Sequence, residues 1–68
     1  MTFADALTRE LDREGISQAE GARRSGFNQS TFNQYCTGAQ HPTLENAKRL
    51  VRAFPALCSW FFDGAVNG

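Results

Sequence analysis

The sequence lacks the features of a secreted, disulfide-bonded or membrane-embedded protein. It has two cysteines in 68 residues, Cys36 and Cys58, which are too few and too far apart for a disulfide framework or a zinc site. No apolar run approaches the roughly 20 residues that span a bilayer. The acidic N-terminus does not resemble a secretory signal. We therefore expect reduced, half-buried cysteines, no metal, no membrane contact and a cytoplasmic location.

Net charge is also absent, because seven basic residues balance seven acidic ones. The charges are unevenly placed, with a net −2 over residues 1–15 and a net +3 over residues 16–52. The middle of the chain is therefore the part suited to face phosphates. A chain this short buries only about 60% of its unfolded surface, which leaves no room for a deep substrate pocket. The single histidine, His41, lies beside a proline with no cysteine or acid paired to it nearby in sequence, so we expect no enzyme.

Long segments of alternating hydrophobicity are missing too, so no β-strand is expected. Apolar residues instead recur at three- and four-residue spacing, and cap residues and glycines divide the chain into five short helices. Ser17 and Glu20 have the spacing of a capping box, and Asn28 and Thr43 are suitable N-caps. The predicted helices cover residues 2–14, 18–25, 29–37, the segment from Thr43 to Phe54, and 56–63. A domain over residues 1–64 would then precede a short tail, 65–68.

The second and third predicted helices are joined by about three residues, Gly26 to Asn28. So short a connection, beginning with glycine, favours the steep crossing of a helix-turn-helix over an antiparallel hairpin.

This part of the chain resembles the helix-turn-helix of the phage repressor/Cro family, also called the xenobiotic-response-element family. The matching residues stand at the family's spacing without a gap: Gln18, Ala22, Gly26, Phe32 and Gly38. Gly38 to Leu44 is similar to the family's linker, and Trp60 to Gly64 to its closing motif. The resemblance covers residues 4–64 and implies an all-α, compact five-helix lambda-repressor-like DNA-binding domain.

Two positions depart from the family pattern. Gly21 and Ser25 stand where the family usually has leucine, facing the core, and a glycine inside a helix costs about 0.5–1 kcal/mol relative to alanine. Six phenylalanines suggest that aromatic rings fill the vacated volume. Four aromatic residues are expected in the core: Phe27, Phe32, Phe54 and Trp60. Tyr35 is expected outside it. A single apolar face is expected on the fourth helix: Leu44, Ala47, Leu50, Val51 and Phe54.

The resemblance implies that the third helix enters the major groove of DNA and reads base edges with its outward side chains. Those side chains carry amides and hydroxyls but no charge, which suits groove readout better than it suits a solvated helix face. The expected base contacts are Asn28, Gln29, Thr31, Asn33 and Gln34. The expected phosphate contacts are Gln18, Ser30, Thr37, Gln40 and His41, with Gln18 also supporting Gln29. Arg23 and Arg24 are expected on the solvent side and not as base readers.

The C-terminal helix is more apolar than one small core can hide, so we expect a homodimer through Leu57, Trp60, Phe61 and Phe62. The leading hypothesis is a small Cro-like repressor that binds a palindromic operator in double-stranded DNA, without cofactor or small-molecule ligand. The alternative is a protein-interaction module on the same fold, antitoxin-like or an anti-repressor partner, that does not bind DNA.

Overall fold

The computed structural model describes residues 2–61, and these form helices joined by short loops. In chain order the helices are α1 (Phe3–Glu14), α2 (Gln18–Ser25), α3 (Gln29–Thr37) and α4 (Leu44–Ala53). Residues 57–61 are helical as well and belong to α5. No strand occurs within residues 2–61. The predicted all-α, five-helix fold class is confirmed.

Local signals set most of the helix ends. Each of α1 to α4 begins at a residue whose side-chain oxygen accepts a hydrogen bond from the backbone three residues on: Thr2, Ser17, Asn28 and Thr43. The first three helices end at a glycine in the left-handed region, with φ of 70° at Gly15, 79° at Gly26 and 83° at Gly38. Helices α2 and α3 occupy the ranges that these caps predict.

The predicted capping box at Ser17 is only half formed. Ser17 Oγ accepts the Glu20 backbone N–H at 3.2 Å, but the Glu20 carboxylate turns to Arg23 and Arg24. The hydrogen bond from Arg23 is the main reason that the pKa of Glu20 lies below its usual value. The complete box is in α1, between Thr2 and Asp5.

The core lies where α3 packs on α1 and α2, and α4 closes it against α2. Its largest fully buried side chains are Phe32, Phe54, Leu7, Leu50 and Leu57. Tyr35, which we expected outside the core, is 3% exposed. The Asn46 side chain donates a hydrogen bond to its hydroxyl at 2.9 Å, which explains how a polar atom is tolerated there.

Leu44 is the second correction. The predicted apolar face of α4 is only partly covered, because Ala47, Leu50 and Phe54 are buried while Leu44 is 76% exposed. Helical spacing places Leu44 on the same side as Val51, and both side chains line an open surface groove.

The two cysteines differ in their burial. Cys36 is buried rather than half-buried, and burial raises the pKa of its thiol to about 11. Cys58 is half-buried. Neither is part of a disulfide, and a thiol with so high a pKa is a poor nucleophile.

Phe32 and Leu11 fill the space beside Gly21. A Cβ built on Gly21 would lie 2.7 Å from Leu11 Cδ2 and 2.8 Å from Phe32 Cζ. Ser25, the other departure from the family pattern, is buried and donates its hydroxyl to the Gly21 carbonyl at 2.7 Å. An aromatic ring and an internal hydrogen bond therefore stand where leucines would otherwise pack.

Candidate nucleic-acid interface

The turn between α2 and α3 is closed by backbone hydrogen bonds. The Phe27 N–H donates to the Ala22 carbonyl at 3.0 Å, and the Gly26 N–H donates to the Arg23 carbonyl at 3.3 Å. These two bonds, with Gly26 in the left-handed region, form a Schellman motif. The chain therefore leaves α2 and enters α3 within three residues, Gly26 to Asn28, as the sequence predicts.

The outer face of α3 is uncharged and open to solvent. Among the expected contacts of this helix, Asn28, Gln29, Ser30, Gln34 and Thr37 are exposed, whereas Thr31 and Asn33 are half-buried. The expected contacts outside the helix are exposed too, Gln18 at the start of α2 and Gln40 and His41 in the loop before α4.

Most of these side chains keep their hydrogen-bonding groups free. Within residues 2–61, no hydrogen bond engages the side chains of Gln18, Gln29, Ser30, Thr31, Gln34, Gln40 or His41. The expected support of Gln29 by Gln18 is therefore not formed in the free protein. Free amides and hydroxyls on one helix face are the groups that can pair with base edges.

Two of the expected contacts, Asn28 and Thr37, make hydrogen bonds inside the protein, and a third, Asn33, has a buried oxygen. Asn28 Oδ1 accepts the Thr31 N–H at 2.7 Å as the N-cap of α3, which leaves its amide NH2 as the free group. Thr37 Oγ1 donates to the Gln34 carbonyl at 3.3 Å and accepts the Ala39 N–H at 3.4 Å. Asn33 Oδ1 is buried with no hydrogen-bond donor in the described structure, so this oxygen is not accessible to a base edge in the free protein.

A helix-turn-helix family model matches residues 7–61. The chain belongs to the phage repressor/Cro helix-turn-helix family. No curated protein and no solved structure gives a significant match. The family consists of DNA-binding regulators and not of enzymes, so α2 and α3 are the two helices of a DNA-binding helix-turn-helix motif.

Helix α3 carries no positive charge, whereas α2 before it and α4 after it both do. Arg23 and Arg24 of α2 pair with carboxylates of Glu20 and Glu14, in agreement with their expected place on the solvent side. The basic residues of α4 have no carboxylate partner within residues 2–61: Lys48, Arg49 and Arg52. The sequence analysis counted these three in the net positive segment suited to face phosphates, but it named none of them as a contact.

The structure leaves only part of the expected homodimer surface accessible. Leu57 is 1% exposed and packs in its own core, so its side chain is not available to a partner. Trp60 and Phe61 are half-buried, and their rings lie 5.4 Å and 5.6 Å from the ring of Phe3. Phe62 lies outside the described residues, as do the predicted end of α5 and the tail.

The surface of the domain also has an apolar groove between α4 and α5. It has a volume of about 550 Å³, and its apolar lining comes from both helices: Leu44, Ala47, Val51, Cys58 and Phe61. The Lys48 and Arg52 side chains also line it.

No helix within residues 2–61 has the length and apolar character needed to cross a membrane.

Proposed function

We propose that this helix-turn-helix protein is a Cro-like transcriptional repressor that binds a near-palindromic operator as a homodimer. The observation that carries the proposal is the uncharged outer face of α3, where the exposed side chains of Gln29, Ser30 and Gln34 have no hydrogen-bond partner within residues 2–61. A repressor of this kind acts by occupying a promoter, which requires nothing beyond binding and places the protein in the cytoplasm with its DNA.

Base readout falls to side chains in the first two turns of α3. The Gln29 carboxamide can donate to and accept from the N7 and N6 groups of one adenine, and the Thr31 methyl can contact a thymine methyl. Gln34, together with Asn33 and the free NH2 of Asn28, extends readout to neighbouring base pairs. The phosphate contacts position the domain without carrying sequence information: Gln18, Ser30, Thr37, Gln40 and His41.

Dimerisation supplies affinity that one domain lacks. A nearly neutral domain with few free cations neutralises few phosphates, and each neutralised phosphate changes the logarithmic salt slope by about −0.9. Two domains on half-sites one helical turn apart, about 34 Å, double these contacts. The apolar groove between α4 and α5, whose lining includes the half-buried Phe61, supports a contact between two copies.

Selection from a pool of random DNA duplexes tests the proposal. We expect a palindromic consensus whose two halves lie about one helical turn apart. Gln29→Ala should relax the preference at one base pair of each half-site, at a cost of about 1–3 kcal/mol per contact. Gln18→Ala is the matched contrast, because losing a phosphate contact weakens binding to all sequences alike.

The outcome separates the two functions considered for this fold. Recovery of no consensus, with no salt-dependent binding to any duplex, would contradict the repressor and favour the protein-interaction module. A consensus that Gln29→Ala leaves unchanged would contradict only the assignment of Gln29.

A further inference from the structure

Helix α4 holds the turn of the motif through Arg49. The Arg49 Nη2 group donates a hydrogen bond to the Gly26 carbonyl at 2.8 Å. The Arg49 guanidinium carbon also lies 4.6 Å from the centroid of the Phe27 ring. Phe27 is only half-buried, so the guanidinium covers part of a ring that the core leaves open.

The same helix holds the recognition helix through Asn46. The Asn46 Nδ2 group donates to the Tyr35 hydroxyl at 2.9 Å. The Tyr35 ring in turn meets the Phe27 ring edge to face, with centroids 5.5 Å apart. Arg49 of α4 therefore contacts the turn between α2 and α3, and Asn46, three residues earlier on α4, contacts α3 itself. The packed rings of Phe27 and Tyr35 connect the two contacts.

We infer that Arg49 and Asn46 are positioning residues for DNA binding, and we call this pair with its contacts to Gly26, Phe27 and Tyr35 the α4 clamp. The inference rests on the proposed function. A rotation of α3 about the short turn would break the guanidinium contact or the Tyr35 hydrogen bond. The α4 clamp therefore fixes the angle at which the uncharged face of α3 meets the groove, before any DNA is bound.

The chemistry of the contact requires arginine. A planar guanidinium can donate to a carbonyl and stack on an aromatic face at once, while a lysine ammonium is a compact point charge that stacks less well. Gly26 is suited to the contact as well, since a Cβ there would lie 2.9 Å from Arg49 Nη2. Neither helical periodicity nor charge pattern indicates this contact, because it joins residues 23 positions apart.

Arg52 provides a matched control on the same helix. It is exposed, and it has no hydrogen bond or ion pair within residues 2–61. Because Arg52 also lines the groove proposed for the homodimer, the dissociation constant of the dimer is measured for both variants and binding is compared at equal dimer concentration. Arg49→Gln and Arg52→Gln remove the same charge from α4, so a purely electrostatic role predicts similar effects of the two substitutions.

The first test measures binding to the duplex recovered by selection, at several salt concentrations, with variants whose circular dichroism shows wild-type helix content. We expect Arg49→Gln to weaken binding about tenfold more than Arg52→Gln does. We also expect Arg49→Gln to lower the preference for the selected duplex over random DNA. The salt slopes of Arg49→Gln and Arg52→Gln should be similar. Equal losses in the two variants would overturn the inference, as would a loss in Arg49→Gln that is equal for all sequences and lowers the salt slope by about 0.9.

Further variants separate positioning from a general structural role. Arg49→Lys keeps the charge and a donor and should recover only part of the affinity. Asn46→Ala and Tyr35→Phe should each weaken specific binding, and the double variant should lose less than the sum because they break one contact. Additive losses would contradict the clamp.

A measurement without DNA keeps the clamp testable if no duplex is selected. The Phe27 amide, bonded to the Ala22 carbonyl at 3.0 Å, should exchange with solvent faster in Arg49→Gln than in Arg52→Gln. Equal exchange rates would overturn the clamp. Faster exchange without any selected duplex would contradict the proposed function and leave the clamp as a feature of the turn alone.

Discussion

Gly21 is the residue at which local preference and tertiary packing oppose each other. Within a helix, alanine is favoured over glycine by about 0.5–1 kcal/mol. The Cβ of an alanine at this position, however, would lie 2.8 Å and 2.9 Å from two ring atoms of Phe32, which is fully buried. A buried ring has no free space into which it can move, so packing decides the outcome.

Gly21→Ala should therefore lower the free energy of unfolding by about 1 kcal/mol, because overpacking a core costs about 1–3 kcal/mol and exceeds the gain in helix preference. Urea denaturation monitored by circular dichroism measures the change. Gly21→Leu should be more destabilising, since its larger side chain meets the same ring.

A Phe32→Leu background serves as the control for Gly21. There the ring atoms are gone, and Leu11 Cδ2, the other close atom at 2.7 Å, can move into the vacated space. Gly21→Ala should then become neutral or stabilising when both proteins are compared in stabilising sulfate. Stabilisation of the otherwise unchanged protein by Gly21→Ala would mean that the space beside Gly21 is empty.

At the scale of the helices, the first turn of α3 combines two demands on one side chain. Asn28 Oδ1 caps the helix by accepting the Thr31 N–H, and the Asn28 NH2 is a proposed base contact. A substitution that removes both the capping oxygen and the NH2 of Asn28 should therefore change helix stability and DNA readout together. A substitution that keeps the capping oxygen alone separates the two effects.

Asn28→Ala should lower the free energy of unfolding by about 1 kcal/mol, because an N-cap is lost. Asn28→Ser keeps a cap and removes the amide, so its stability should stay near that of the unchanged protein while its preference at one base pair changes. Thermal unfolding and binding to the selected duplex measure the two effects. If Asn28→Ser retains the full sequence preference, Asn28 is a cap and not a base contact.

The whole molecule has more apolar surface than its own core uses. Leu44 is 76% exposed and lines the groove that α4 and α5 form with Val51 and Phe61. Exposed apolar patches of this kind mark contact surfaces in small soluble proteins, and here the patch supports the proposed homodimer.

Leu44→Gln should weaken dimerisation while changing the free energy of unfolding of the monomer by no more than about 0.5 kcal/mol, since the side chain is exposed. Sedimentation measured over a range of protein concentrations reports the dissociation constant. Asp12→Asn, an exposed substitution on α1, is the control and should leave it unchanged. A strict monomer on DNA would contradict the dimer altogether.

The sequence alone determined α1 to α4 to within one residue of their observed ends. Thr2, Ser17, Asn28 and Thr43 cap helices through hydrogen bonds that reach three residues along the chain, and such contacts need no other helix. The uncharged outer face of α3 followed in the same way, because helical periodicity shows which residues share a face.

The tertiary structure alone decided which of these faces are covered. Periodicity could not show that Tyr35 and Leu57 are buried while Leu44 stays in solvent, because burial depends on the position of the other helices. It also could not show that Arg49 reaches the Gly26 carbonyl, since this contact exists only after α4 has packed beside the motif. Short-range hydrogen bonds and backbone preferences act before the chain folds, whereas contacts between distant residues are set by the packing of the whole domain.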